Sequence, residues 1–207
     1  MEYEVLRKGF DALDLAFQGR VSRSVREQLR EAKAKAKDTK TEQAVCINGV
    51  HGLVKGSGTA SGYSFVFNTG PDGEIWSITD NPDPQQWNIL VTVRAAQLAL
   101  NGYHDTKAAL YARLEAFGAQ VLSESLGRVD FAVDFIAPGF EIPVHLLACH
   151  WRCKQMEYGD EQDGIPLGGS EFHVGYANRK ANSFTIGKMP GRQVQIYNKR
   201  AEVMRQV

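Results

Sequence analysis

Arg128-Val129-Asp130-Phe131-Ala132-Val133-Asp134-Phe135 alternates apolar and polar side chains without interruption. Period two is the mark of a strand, whose successive side chains point to opposite faces. Val129, Phe131, Val133 and Phe135 make one face, expected to be core, and Arg128, Asp130, Ala132 and Asp134 make the other. The second face aligns two carboxylates about 7 Å apart, with only Ala132 between them, toward a cleft or solvent. A later stretch, Gln193-Val194-Gln195-Ile196-Tyr197-Asn198-Lys199, alternates in the same way. It puts Val194 and Ile196 inward and leaves Gln193, Gln195, Tyr197 and Lys199 on a polar face.

Outward from these strands, turn residues punctuate a β-rich stretch: Ala44 to Ile47, Gly52 to Lys55, Tyr63 to Asn68, Glu74 to Thr79 and Asn88 to Arg94. Further strands are expected near Glu171 to Tyr176 and Ser183 to Lys188. Helical spacing of Val5, Leu6, Phe10, Leu13, Ala16 and Phe17 predicts a helix from Tyr3 to Gln18, stopped by Gly19. A second, mostly solvated helix is capped by Ser22 or Ser24 and runs to about Lys37. Leu110, Leu114 and Phe117 place a third between Asp105 and Phe117, and a fourth is expected from Pro143 to Met156. Helices segregated from hairpins define an α+β protein, a mainly antiparallel sheet with helices packed on one face.

Of the 207 residues, 43% are hydrophobic and 23% charged, which is the make-up of a folded domain and not of a disordered chain. The formal net charge is zero, so nucleic-acid binding has to rest on local patches. One such patch is the second helix region, with Arg20, Arg23, Arg26, Arg30, Lys33, Lys35, Lys37 and Lys40 against Glu27, Glu31 and Asp38. It reads equally as a phosphate-contacting surface or as a solvated helix with pairs such as Glu27 to Arg30 or Glu31 to Lys35. Three cysteines without disulfide-like spacing fit a reducing, cytoplasmic setting. There is no signal-like start and no apolar run of membrane-spanning length.

A tyrosine sharing a strand face with a lysine is a candidate nucleophile. A free phenol has a pKa near 10 and attacks poorly at neutral pH unless cations or a metal-polarised electrophile assist it. Lys199, Arg192, Lys188 and Glu202 surround Tyr197 in sequence. Together, Gly127 to Phe135, Thr185-Ile186-Gly187-Lys188, Arg192 and Ile196-Tyr197-Asn198-Lys199-Arg200-Ala201-Glu202 resemble the replication initiation factors of Rep_trans type. Gln195 stands where that family usually has arginine.

The resemblance implies a fold related to the rolling-circle nickases and a DNA endonuclease and strand transferase that acts by tyrosine attack on a phosphate. Tyr197 would be the nucleophile, leaving a 5′-phosphotyrosine and a free 3′-hydroxyl, with Lys199 stabilising charge on the phosphate oxygens. Asp130, with Asp134 or Glu202, would hold Mg²⁺ or Mn²⁺, an assignment suited to an all-oxygen donor set. Arg128, Lys188, Arg192 and Arg200 would contact the DNA backbone. The expected partners are origin DNA, single-stranded, hairpin or supercoiled, with host helicase and polymerase, and a homodimer is compatible with the reading. Residues 1–100 are expected to form an accessory DNA-binding part and 101–207 the nicking part, truncated soon after Glu202. A conjugative relaxase and a non-catalytic origin-binding module of the same fold are the alternatives. His51, His104, His145, His150 and His173 contain no pair one residue apart, so carboxylates must serve any metal. His145, Cys149 and Cys153 share one face of an expected helix, but lack a fourth zinc ligand and are read as packing residues.

Overall fold

The computed structural model describes residues 3–141, 155–158, 172–177, 180–187 and 193–199. Glu4–Ile136 form one compact unit; Met1–Tyr3 and Ala137–Val207 form the other. The division expected at residue 100 falls inside a helix of the first unit.

The first unit is a seven-stranded antiparallel sheet with two helices. Its elements are β1 (Glu4–Arg20), α1 (Arg23–Thr39), β2 (Gln43–Ile47), β3 (Val50–Val54), β4 (Phe65–Asn68), β5 (Glu74–Ile78), β6 (Ile89–Val93), α2 (Ala95–Ala116) and β7 (Gln120–Ile136). The spatial order is β2-β3-β4-β5-β6-β1-β7. The second unit carries β8 (Gln155–Tyr158), β9 (Phe172–Ala177), β10 (Lys180–Gly187) and β11 (Gln193–Tyr197). These form a sheet in the order β11-β10-β9-β8, antiparallel except for the parallel β8–β9 pair. The α+β class and mainly antiparallel sheet thus agree with the sequence reading.

The helix expected from Tyr3 to Gln18 is instead strand β1, and the reason lies in its bulges. β1 pairs with β7 along its length and with β6 over Leu13 to Phe17. Its register slips between Val5 and Arg7 and again between Phe10 and Ala12. Residues on one face therefore run Val5, Lys8, Phe10, Leu13, Leu15, Phe17, and each bulge turns a spacing of two into three. That mimics helical periodicity, while ladder bonds on both edges select the strand. The helix expected from Pro143 to Met156 ends in β8, where Gln155 and Met156 are extended; its earlier residues lie outside the described ones.

Both helices cover the same sheet face. Leu13, Leu15 and Phe17 of β1, Ile89, Val91 and Val93 of β6 and Trp76 and Ile78 of β5 bury against Val25 and Leu29 of α1, Leu110 and Leu114 of α2 and Phe117, which caps the end of α2. Phe117 is the hinge of this core, meeting Trp76 at 5.1 Å and Phe67 at 5.9 Å, both edge to face. α1 begins as expected, with Ser22 accepting a hydrogen bond from the Val25 amide. α2 starts ten residues earlier than Asp105 and kinks at Gly102, whose φ of +71° a side chain resists.

β7 is tied to α2 through Glu124. Its carboxylate accepts from Lys107 Nζ at 2.8 Å and from the Tyr111 hydroxyl at 2.7 Å. Burial raises the Glu124 pKa, but these two bonds outweigh it and hold the carboxyl below its ordinary value. A depressed folded-state pKa contributes stability above the unfolded pKa and loses it as pH falls through the folded value. Wild type should therefore be more stable than Glu124→Gln at pH 7, by no more than about 1 kcal/mol for a partly exposed pair. Urea unfolding repeated at pH 3 should find the gap narrowed; a gap independent of pH would contradict the assignment.

Candidate site on the helix-free face

Asp130 and Asp134 lie where the period-two reading places them, on the face opposite the core, with side chains 37% and 39% exposed. Pairing with β1 sets Ala12 opposite Asp130, Asp14 opposite Arg128 and Arg7 opposite Asp134. Directly opposed residues share a face. The face thus carries two arginines and at least three carboxylates, of which only the β7 residues were recognised from sequence. Arg7 and Asp14 were missed because β1 was read as a helix; period two with two bulges would have found them.

Arg128 clasps Asp130 with two bonds, Nε to Oδ1 at 2.9 Å and Nη2 to Oδ2. Hydrogen bonding to Asp130, then the charges of Asp130, Asp14 and Asp11, raise the Arg128 pKa against the opposing effect of burial. Arg7 donates to Asp11 at 3.0 Å and to the Phe10 carbonyl at 2.8 Å, and its Nη1 lies 3.8 Å from Asp134. The Oδ1 atom of Asp14 is buried without a hydrogen-bond partner.

The apolar face of β7 differs from expectation. Val129, Phe131, Val133 and Phe135 are 47, 64, 48 and 45% exposed. β6 pairs with β1 only between Leu13 and Phe17, so Glu4 to Ala12 and Asp130 to Ile136 continue as a two-stranded ribbon beyond the helix-covered core. Phe10 and Phe131 meet edge to face at 6.1 Å, and Phe10 lies 5.9 Å from Tyr103 of α2.

In the second unit, Lys199 Nζ donates to the Tyr197 hydroxyl at 3.2 Å and sits 5.5 Å from the ring centroid. The tyrosine and lysine expected to share a polar site are in contact. Val194 and Ile196, expected inward, are exposed. Among the described residues β11 is an edge strand paired only with β10, and those buried on that face are Phe184 on β10 and Val174 on β9. An edge position receives cover from one side alone. Lys188, Arg192, Arg200 and Glu202 lie outside the described residues, as do His145, Cys149 and Cys153.

Part of the basic helix is engaged within the protein, though by other pairs than those expected. Arg23 bonds Glu27 at 2.7 Å, Arg30 forks onto both oxygens of Asp80 at 2.6 and 2.7 Å, and Lys33 donates to the Ser64 carbonyl. Lys35 and Lys37 are exposed.

Asp130 and Asp134 offer oxygen donors of the type a hard divalent ion takes, and Asp14 Oδ1 adds an unsatisfied one. Among the described residues no three His, Cys, Asp or Glu side chains gather closely enough to hold a metal. Arg128 already occupies one acceptor position on each oxygen of Asp130. No helix among the described residues is long and apolar enough to cross a membrane. No protein-family model matches the chain, and no curated protein matches it.

Proposed function

We propose that the chain is a rolling-circle replication initiator that nicks origin DNA through Tyr197. The contact between Lys199 Nζ and the Tyr197 hydroxyl carries the reading. The ammonium beside the attacking oxygen can neutralise the phosphate oxygens that attack makes more negative. In this reaction the Tyr197 oxygen bonds to phosphorus and the P–O3′ bond breaks. The phenol proton leaves to solvent and the departing O3′ takes one up, so the product is a 5′-phosphotyrosine and the leaving strand keeps a 3′-hydroxyl that a host polymerase extends. Asp130 and Asp134 are the residues of the first unit proposed to hold Mg²⁺ or Mn²⁺, which when bound would supply Lewis-acid polarisation of a phosphoryl oxygen. Arg128, Lys188, Arg192 and Arg200 are the proposed contacts to the DNA backbone.

A second reading, a non-catalytic origin-binding module, is favoured by Arg128 occupying both oxygens of Asp130. Origin DNA of the replicon that encodes the chain, supercoiled or as a labelled single strand, distinguishes the two. The nickase reading expects cleavage with Mg²⁺ or Mn²⁺ that chelation stops and Asp130→Asn lowers by about 10²-fold or more, the scale of losing an electrostatic catalytic group. Binding that persists with no cleavage by the wild type selects the module.

A further inference from the structure

β7 closes the seven-stranded order, and among the described residues no strand pairs with its outer edge. Proteins usually blunt a free edge with prolines, bulges or very short strands. The second half of β7 has none of these. The two register slips that add a residue to β7 fall at Gly127 and Leu122, whereas those at Leu6 and Asp11 add residues to β1. Arg128 to Ile136 is therefore a regular, proline-free run with Val129, Phe131 and Val133 exposed along it.

We propose that the chain self-associates through this edge, β7 against β7 of a second copy, antiparallel and centred on Phe131. In a two-fold pair, residue i opposes residue j and j opposes i, and opposed residues share a sheet face. Centring on Phe131 sets Arg128 opposite the partner's Asp134 and Asp134 opposite the partner's Arg128. Val129 then opposes the partner's Val133, Asp130 the partner's Ala132, and Phe131 its own copy, so two ion pairs flank an apolar centre. Arg128 bonds Asp130 through Nε and Nη2, which leaves Nη1 to reach across the join. Neighbouring registers lack this match. Centring on Asp130 opposes that carboxylate to its own copy, and centring on Ala132 opposes it to the partner's Asp134; like charges directly opposite are destabilising. Centring on Val129 crosses the Gly127 bulge, and centring on Val133 carries Arg128 past the end of the partner's β7. The inference does not rest on the nicking reading.

The test is the mass of the full chain by sedimentation, with wild type, Arg128→Asp and Asp134→Arg measured separately and then mixed. Wild type should be a dimer that dissociates on dilution. Each variant alone places like charges opposite each other at both ends of the register and should self-associate at least about tenfold more weakly. Mixed, the two variants set opposite charges against each other at both ends, and a heterodimer should form. Its return also shows that both variants fold. If circular dichroism finds either unfolded, Phe131→Lys decides instead: at an exposed position it sets two ammonium groups on the two-fold axis and should abolish the dimer. A wild type that stays monomeric up to its solubility limit leaves the edge to a different occupant and overturns the proposal. Dimers that survive the charge reversals or Phe131→Lys overturn it too, as do folded variants that stay monomeric when mixed.

Discussion

Tyr197→Phe should keep origin binding and abolish both nicking and the covalent protein–DNA band. The substitution removes one oxygen and keeps the ring over which Lys199 sits 5.5 Å from the centroid. Tyr197 is exposed at 38% on an edge strand, so the loss of a hydroxyl there leaves packing intact. An activity that depends on the phenolate should fall at least about 10³-fold, as removal of an attacking nucleophile does elsewhere. Lys199→Ala should reduce the rate less, because Tyr197 keeps its oxygen and loses only the neighbouring charge. A denaturing gel with labelled origin strand reads both results. Equal cleavage by Tyr197→Phe and wild type would remove Tyr197 from the mechanism.

The largest effect on stability should come from Arg113→Ala. Glu74 opens β5 with its side chain fully buried, and Arg113 of α2 pairs with its Oε1. Gln97 Nε2 donates to the same oxygen at 2.7 Å and Thr69 Oγ1 to Oε2 at 2.7 Å. Without the guanidinium, a carboxylate remains in the core with only neutral donors. Stranding a buried charge costs about 3–5 kcal/mol, and the partial exposure of Arg113 lowers this to roughly 2–4. Chemical denaturation should show that loss, together with a melting temperature several degrees lower. Adding Glu74→Gln to Arg113→Ala should recover much of it, since a neutral amide leaves no stranded charge. A single mutant within about 0.5 kcal/mol of wild type would show that the pair contributes nothing.

Neither the burial of Glu74 nor its partner was legible along the chain. Its strand was, but Glu74 is buried because α2 crosses that end of the sheet, and Gln97 and Arg113 reach it from a helix whose first half escaped notice. Gly102 hid that half by interrupting the helical pattern. The Asn48-Gly49 hairpin between β2 and β3 was readable in principle, since these two residues tolerate the positive φ its turn demands. What no local pattern carried was that β7 would stand at the edge of the sheet.

Strand periodicity needs no tertiary context when side chains alternate cleanly. Arg128 to Phe135 by itself therefore determined that Asp130 and Asp134 share a face, whereas β11 stops at Tyr197 and Lys199 reaches the Tyr197 hydroxyl from beyond the strand expected to carry both. Ser22 marked the start of α1 for the same local reason, a hydroxyl that satisfies a helix amide. Only the tertiary structure decided which face of β7 is buried, because burial depends on where β6 and α2 end and not on the alternation itself. It also decided that Glu4 to Arg20 is a strand. Two bulges disguise its period, and the ladder bonds that overrule helical spacing come from β6 and β7, distant in sequence.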